Sequence, residues 1–170
     1  MFRFQPLPLG LLSQLLLTLL GLANPAPVIG QARNDAPPFS LADQFGNTTA
    51  IHFPQPNAVV LIFADRSGRA EARQWVTALG TVPPGKASPP RLVPVACTGW
   101  VPSLFQAQVR RGFAQAKPVL IDWNDAVAKQ YGYGGTGCRV VAISAAGRIV
   151  AIADEPASPG RVTAILKALQ

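Results

Sequence analysis

Cysteine is scarce in this sequence: Cys97 and Cys138 stand alone among 170 residues. Two cysteines are too few for a multiply stapled disulfide scaffold, and 41 positions apart they form no Cys-x-x-Cys. There is one histidine, His52, which no motif places where it could activate Ser67, and it has no second histidine to share a metal. Acidic residues are also few, 8 against 15 Lys+Arg, giving a formal net charge of +7. The cations are scattered, and only Arg110 and Arg111 are adjacent. No run of aromatics and cations suggests a nucleic-acid groove, and the basic balance reads as a solvated surface, with an acidic partner or an anionic membrane surface as the alternative. No apolar run is long enough for a comfortable membrane span.

What is present begins with a targeting pattern. Arg3 precedes a leucine-rich segment, Leu11 to Leu22, and Gly21-Leu22-Ala23 ends in small residues. The expectation is a signal peptide over 1–23 and an exported, extracytoplasmic protein with no membrane span once mature. Cleavage after Ala32 is the alternative site, and an uncleaved anchor the alternative reading. Residues 24–38 read as a Pro- and Ala-rich linker, and 39–170 as one domain.

Within that domain the organising stretch is Ala58 to Trp75. Ala58 to Ala64 is a continuous apolar run, rich in β-branched residues, and reads as a central strand buried on both faces. Asp65-Arg66-Ser67-Gly68-Arg69 then forms a polar turn. Ser67 is the expected cap of a helix whose apolar face is Ala72, Trp75, Val76 and Leu79. Upstream, Phe39 to Phe53 reads as a hairpin turning at Gly46-Asn47, with His52 pointing away from Ile51 and Phe53. Downstream, Arg91 to Cys97 is a strand that Pro94 marks as an edge or a bulge. Pro102 to about Gln115 is a helix presenting Phe105, Val109, Gly112 and Phe113. Pro118 to Asp122 is a short strand, and Asn124 caps a short helix ended by Gly132. Tyr133 to Gly137 is a glycine-rich loop. A closing hairpin turns at Ala145-Ala146-Gly147, and Ser158-Pro159 opens a last helix with Val162, Ile165, Leu166 and Leu169 on one face. The order predicts an α/β domain, a mixed central sheet with helices on both faces.

That order, with Phe39-Ser-Leu-Ala-Asp-Gln-Phe-Gly46, Pro118-Val-Leu-Ile-Asp122, Val127-Ala-Lys-Gln-Tyr-Gly132 and Gly147-Arg-Ile-Val150, resembles the redoxins, the thioredoxin-like branch holding thiol peroxidases and exported thiol-disulfide reductases. The resemblance implies a thioredoxin-like fold over Phe39 to Gln170. It also implies that the reactive cysteine follows the central strand at a helix N-terminus. That place holds Asp65-Arg66-Ser67-Gly68-Arg69, with neither a Cys-x-x-Cys nor a Thr-x-x-Cys. The proline that opens the penultimate strand in the family falls on Cys138.

Two function classes follow. In one, the chain is a non-catalytic protein that binds a protein or peptide partner at the former active-site groove, with Asp65, Arg66, Ser67 and Arg139 as its binding residues. In the other, it is a thiol-dependent oxidoreductase or peroxidase using Cys138, Cys97 or both, with Arg66 and Arg139 lowering a thiol pKa. No cofactor or metal is implied: one histidine and two separated cysteines make a poor metal-transfer site. If the cysteines lie on strands either side of the central one they are roughly 10 Å apart, beyond the reach of a disulfide.

Overall fold

The computed structural model describes residues 35–81, 88–114 and 117–170. The expected signal peptide, the linker as far as residue 34 and the far end of the predicted second helix at Gln115 lie outside them. Seven strands and four helices follow in the order β1 (Phe39–Ala42), β2 (Thr48–Ile51), β3 (Val59–Ala64), α1 (Arg69–Gly80), β4 (Arg91–Cys97), α2 (Ser103–Arg111), β5 (Leu120–Asp122), α3 (Ala126–Gln130), β6 (Cys138–Ile143), β7 (Ile149–Ala153) and α4 (Pro159–Ala168). A 3-10 turn, Trp123–Asp125, leads into α3.

The main sheet runs β5-β4-β3-β6-β7, with β1 and β2 as a separate antiparallel pair. β3 is parallel to β4 and antiparallel to β6, and all six of its residues are buried. Its alternation sorts the core into two layers. Val59, Leu61 and Phe63 pack with Phe39, Ile51, Val127, Ala128 and Tyr131 beneath the hairpin and α3. Val60, Ile62 and Ala64 pack with Trp75, Leu79, Val162 and Ile165 beneath α1 and α4. Helices therefore cover both faces, as the element order predicts.

Local signals placed most turns correctly. Gly46 takes the left-handed conformation of the first hairpin (φ +92), and the Asp43 carboxylate accepts from the N–H groups of Phe45 and Asn47. Ser158 caps α4 by accepting from Arg161 N–H, with Pro159 behind it. His52 is exposed beside the buried Ile51.

Four expectations need correction. Pro94 lies in β4 between two strands, yet β5 pairs with β4 only from Val95 onward. Arg91 N–H bonds to the carbonyl of Ala58, just ahead of β3, so by alternation the nitrogen of Pro94 faces the side that β5 does not reach, and no ladder bond is missed. The folded unit starts before Phe39: Ala36 is buried, its N–H donates to Gly147, and Pro37 accepts from the Tyr131 hydroxyl. The linker read over 24–38 is thus part of the fold in its last four residues. Asn124 is no cap, since it sits at φ 66; the Asp122 carboxylate takes that role, accepting from Val127 N–H (3.3 Å) and Ala128 N–H (2.7 Å). Finally, α2 buries no residue fully and leaves Phe105 52% exposed. Its inner side is set by polar bonds to the hairpin: Arg110 donates to the Asp43 carbonyl, and the Gln44 amide donates to the carbonyls of Phe113 and Lys117.

Candidate functional site at the end of the central strand

The turn Asp65-Arg66-Ser67-Gly68 carries the chain from β3 into α1. Asp65 dominates it. One carboxylate oxygen accepts from the Ser67 hydroxyl (2.7 Å), Gly68 N–H (2.9 Å) and Gly137 N–H (3.1 Å). Burial pushes this carboxyl up, but those three bonds outweigh it and hold the group below the usual carboxylate range. Ser67 is therefore not the helix cap: its hydroxyl goes to the stronger, charged acceptor two residues back. The ion pairs among the described residues are Arg139–Asp154 and Arg161–Glu155, so Asp65 does not pair with Arg66, which is exposed.

The glycine-rich loop closes over this turn. Asp65 N–H donates to the Gly137 carbonyl and to the Tyr133 hydroxyl, and that hydroxyl in turn donates to the Gly137 carbonyl. A Cβ on Gly68 would lie 2.0 Å from the Gly137 carbonyl oxygen, so the two backbones touch with no room for a side chain. The glycines of residues 133–137 predict a loop, but not that Tyr133, Gly137 and Gly68 fasten it. The available signal was the density of glycine opposite another glycine at a helix start.

Both cysteines reach this end of the sheet, but on opposite faces. Cys138 opens β6 opposite Ala64 and packs with Val140 and Trp75 in the α1–α4 layer. Cys97 ends β4 and packs with Val95 and Tyr133 in the α3 layer. Both are buried and unpaired, and β3 lies between their strands. Burial pushes the Cys138 thiol up to about 12, with Glu71 and Asp154 acting the same way. Burial also raises Cys97, helped by Asp125 and Asp122. The expectation that Arg139 lowers a thiol pKa is corrected. Arg139 pairs with Phe63 on the other face from Cys138, and its guanidinium binds Asp154 (2.6 and 2.7 Å) and the carbonyls of Tyr131 and Gly132.

The loop after β4 is pinned by the 3-10 turn that follows β5. The Asp125 carboxylate accepts from Gly99 N–H (2.9 Å), and Asn124 N–H donates to the Gly99 carbonyl (2.9 Å). Asn124 and Asp125 hold consecutive left-handed conformations, φ 66 and 56, to make this arrangement. Among the described residues no cluster of three or more metal-ligating side chains forms.

Removal of the Asp65 carboxylate tests this geometry. Asp65→Ala is expected to cost about 2 kcal/mol, because two N–H groups and a hydroxyl lose a charged acceptor. The depressed carboxyl contributes stability that is present above its unfolded pKa of about 3.9 and is lost as pH falls through the lower folded value. The wild-type advantage over the variant should therefore be full at pH 6 and shrink below pH 4. Denaturant melts at both pH values check it.

No protein-family model matches the sequence, and no curated protein matches it by sequence. Solved structures do match by shape. The exposed lipoprotein thioredoxin of Streptococcus pneumoniae is 17% identical with a TM-score of 0.60, covering 78% of this chain and 98% of that one. The thioredoxin domain of a thiol-disulfide oxidoreductase from Bacteroides vulgatus is 15% identical with a TM-score of 0.54, covering 82% and 98%. A peroxidoxin from Mycobacterium tuberculosis is 20% identical with a TM-score of 0.51, covering 82% and 98%. At these identities the likeness speaks to architecture, and with the five-stranded mixed sheet and its flanking helices it establishes that the chain has the thioredoxin-like fold.

Proposed function

We propose that this chain is an exported thioredoxin-fold protein that acts by binding and not by thiol–disulfide exchange, its fold inherited from redox-active relatives whose active-site cysteine motif it has lost. The observation that carries this reading is the Asp65 carboxylate. It sits at the mouth of α1, accepting Gly68 N–H and Gly137 N–H, where a reactive thiolate would require the same kind of donor. An internal anion already meets that need. The two thiols are buried on opposite faces of the sheet, and a thiol held at about 12 is not the thiolate that attacks a disulfide.

Of the residues proposed for partner binding at this turn, Asp65, Ser67 and Arg139 are engaged internally, which leaves the exposed Arg66 as the side chain that meets a partner there. Disulfide-reductase turnover of the purified protein is the test, and background rates are expected. The competing reading is an oxidoreductase or peroxidase working through Cys138 or Cys97. It requires one of these thiols to open to solvent and would show as turnover that a single cysteine variant abolishes. Export rests on Arg3 and Leu11 to Leu22. N-terminal sequencing of the cell-derived protein should read from Asn24 or Arg33, and an intact Met1 on a cytoplasmic product would refute it.

A further inference from the structure

Helix α2 and the loop before it present apolar side chains that the fold does not use. Trp100 is 78% exposed, Leu104 82% and Phe105 52%. On an α-helix Leu104, Gln108 and Arg111 form one outward stripe, with Phe105 on its flank, while Arg110 is turned inward to the Asp43 carbonyl. Arg111, at the end of this stripe, is exposed, and so is Lys117 further along the chain. Between Thr98 and Ile121 the sequence contains no acidic residue. Of the eight acids, Asp43, Asp65, Asp122 and Asp125 accept backbone N–H groups, Asp154 and Glu155 are paired with Arg139 and Arg161, and Asp35 and Glu71 stand outside this segment. The face thus combines protruding apolar tips with charge of a single sign.

We propose that this face docks the protein on an anionic lipid bilayer. Trp100, Leu104 and Phe105 enter the boundary between headgroups and acyl chains, and Arg111 and Lys117 meet the lipid phosphates. Tryptophan suits that depth, having an apolar body and a polar N–H. The charge pattern disfavours a second copy as the occupant, because self-association would bring Arg111 and Lys117 against their own kind with no acid between. The tips stand out from a helix start and its loop, a shape suited to insertion. This inference goes beyond the reading above and holds whether or not the thiols are inert.

The test uses the full chain with phosphatidylglycerol-containing vesicles and with phosphatidylcholine vesicles, read by tryptophan emission and co-sedimentation. Trp75 is fully buried and Trp123 half-buried beside the Arg110 guanidinium, so Trp100 is the most exposed fluorophore, and Trp100→Phe isolates its contribution. The leucine-rich N-terminal segment is common to every variant, so the readout is the difference between variants. Trp100 emission is expected to shift to the blue on anionic vesicles only, and Trp100→Phe should abolish the shift. Apparent affinity should fall at least about tenfold in Arg111→Glu/Lys117→Glu, and comparably in Leu104→Ser/Phe105→Ser. These sites are exposed, so unchanged melting temperatures are expected alongside. Absence of a shift, an equal shift on phosphatidylcholine, a concentration-dependent shift without vesicles (a second copy), or a shift produced by polyglutamate and not by vesicles (an acidic protein) would each overturn the proposal.

Discussion

Replacing Trp75 with alanine is expected to lower the unfolding free energy by about 3–5 kcal/mol. Its ring is wholly excluded from solvent between α1 and the sheet, packed with Ile62, Cys138, Val140 and Val162. Its indole N–H also donates to the Glu155 carbonyl at 3.0 Å, tying α1 to the segment that leads into α4. Truncation removes the largest fully buried side chain, leaves a cavity flanked by two helices and a strand, and strands a carbonyl. Such a loss is a large part of the stability of a domain this size. Trp75→Phe keeps most of the volume and should recover more than half of it. Equilibrium urea melts of the three proteins check the expectation, and an unchanged midpoint for Trp75→Ala would mean that the α1 face is assigned wrongly.

Gly68→Ala is expected to be nearly as damaging, at about 3 kcal/mol. Ordinarily a glycine at a helix start can take a methyl at little cost, since φ is −80 here. The obstacle is steric: the added carbon would lie 2.0 Å from Gly137 O and 2.7 Å from Cys138 N, both backbone atoms. Relief requires the loop to withdraw, breaking the bonds from Gly137 N–H to Asp65 and Ser67. Gly80, at the other end of the same helix, has nothing within 4 Å of the added carbon. Gly80→Ala should therefore be neutral or stabilising by up to about 1 kcal/mol. Parallel thermal melts separate contact from propensity, and equal effects at the two positions would discount the loop contact.

The parts of the fold that were legible in the sequence are those specified by near neighbours. β3 announces itself as an unbroken apolar run, α1 and α4 as periodic stripes, and the first hairpin as Gly46-Asn47. The misread features depend on residues far apart in the chain. The inward face of α2 is decided by Arg110 meeting Asp43, 67 positions away. Ser67 looked like a cap because the usual competitor, a carboxylate with its own claim on the hydroxyl, cannot be weighed from spacing alone. Arg139 looked like a neighbour of Cys138 because it is one in sequence; strand alternation sends the two side chains to opposite faces. The separation of the cysteines, by contrast, followed from the strand order, since β3 stands between β4 and β6.

The measurement that bears most directly on the central claim is a combined thiol and turnover assay on the wild type, Cys97→Ser and Cys138→Ser. Insulin reduction with dithiothreitol and iodoacetamide alkylation under native conditions are followed together from pH 7 to 9. With Asp65 seated at the α1 N-terminus and Cys138 held at about 12, turnover should match the buffer blank for all three proteins. Alkylation should stay slow across that range and become complete at both positions only in denaturant. Any residual native reactivity should disappear in Cys138→Ser and persist in Cys97→Ser. Robust wild-type turnover that either single substitution abolishes would show that the two cysteines cooperate, and would contradict the account.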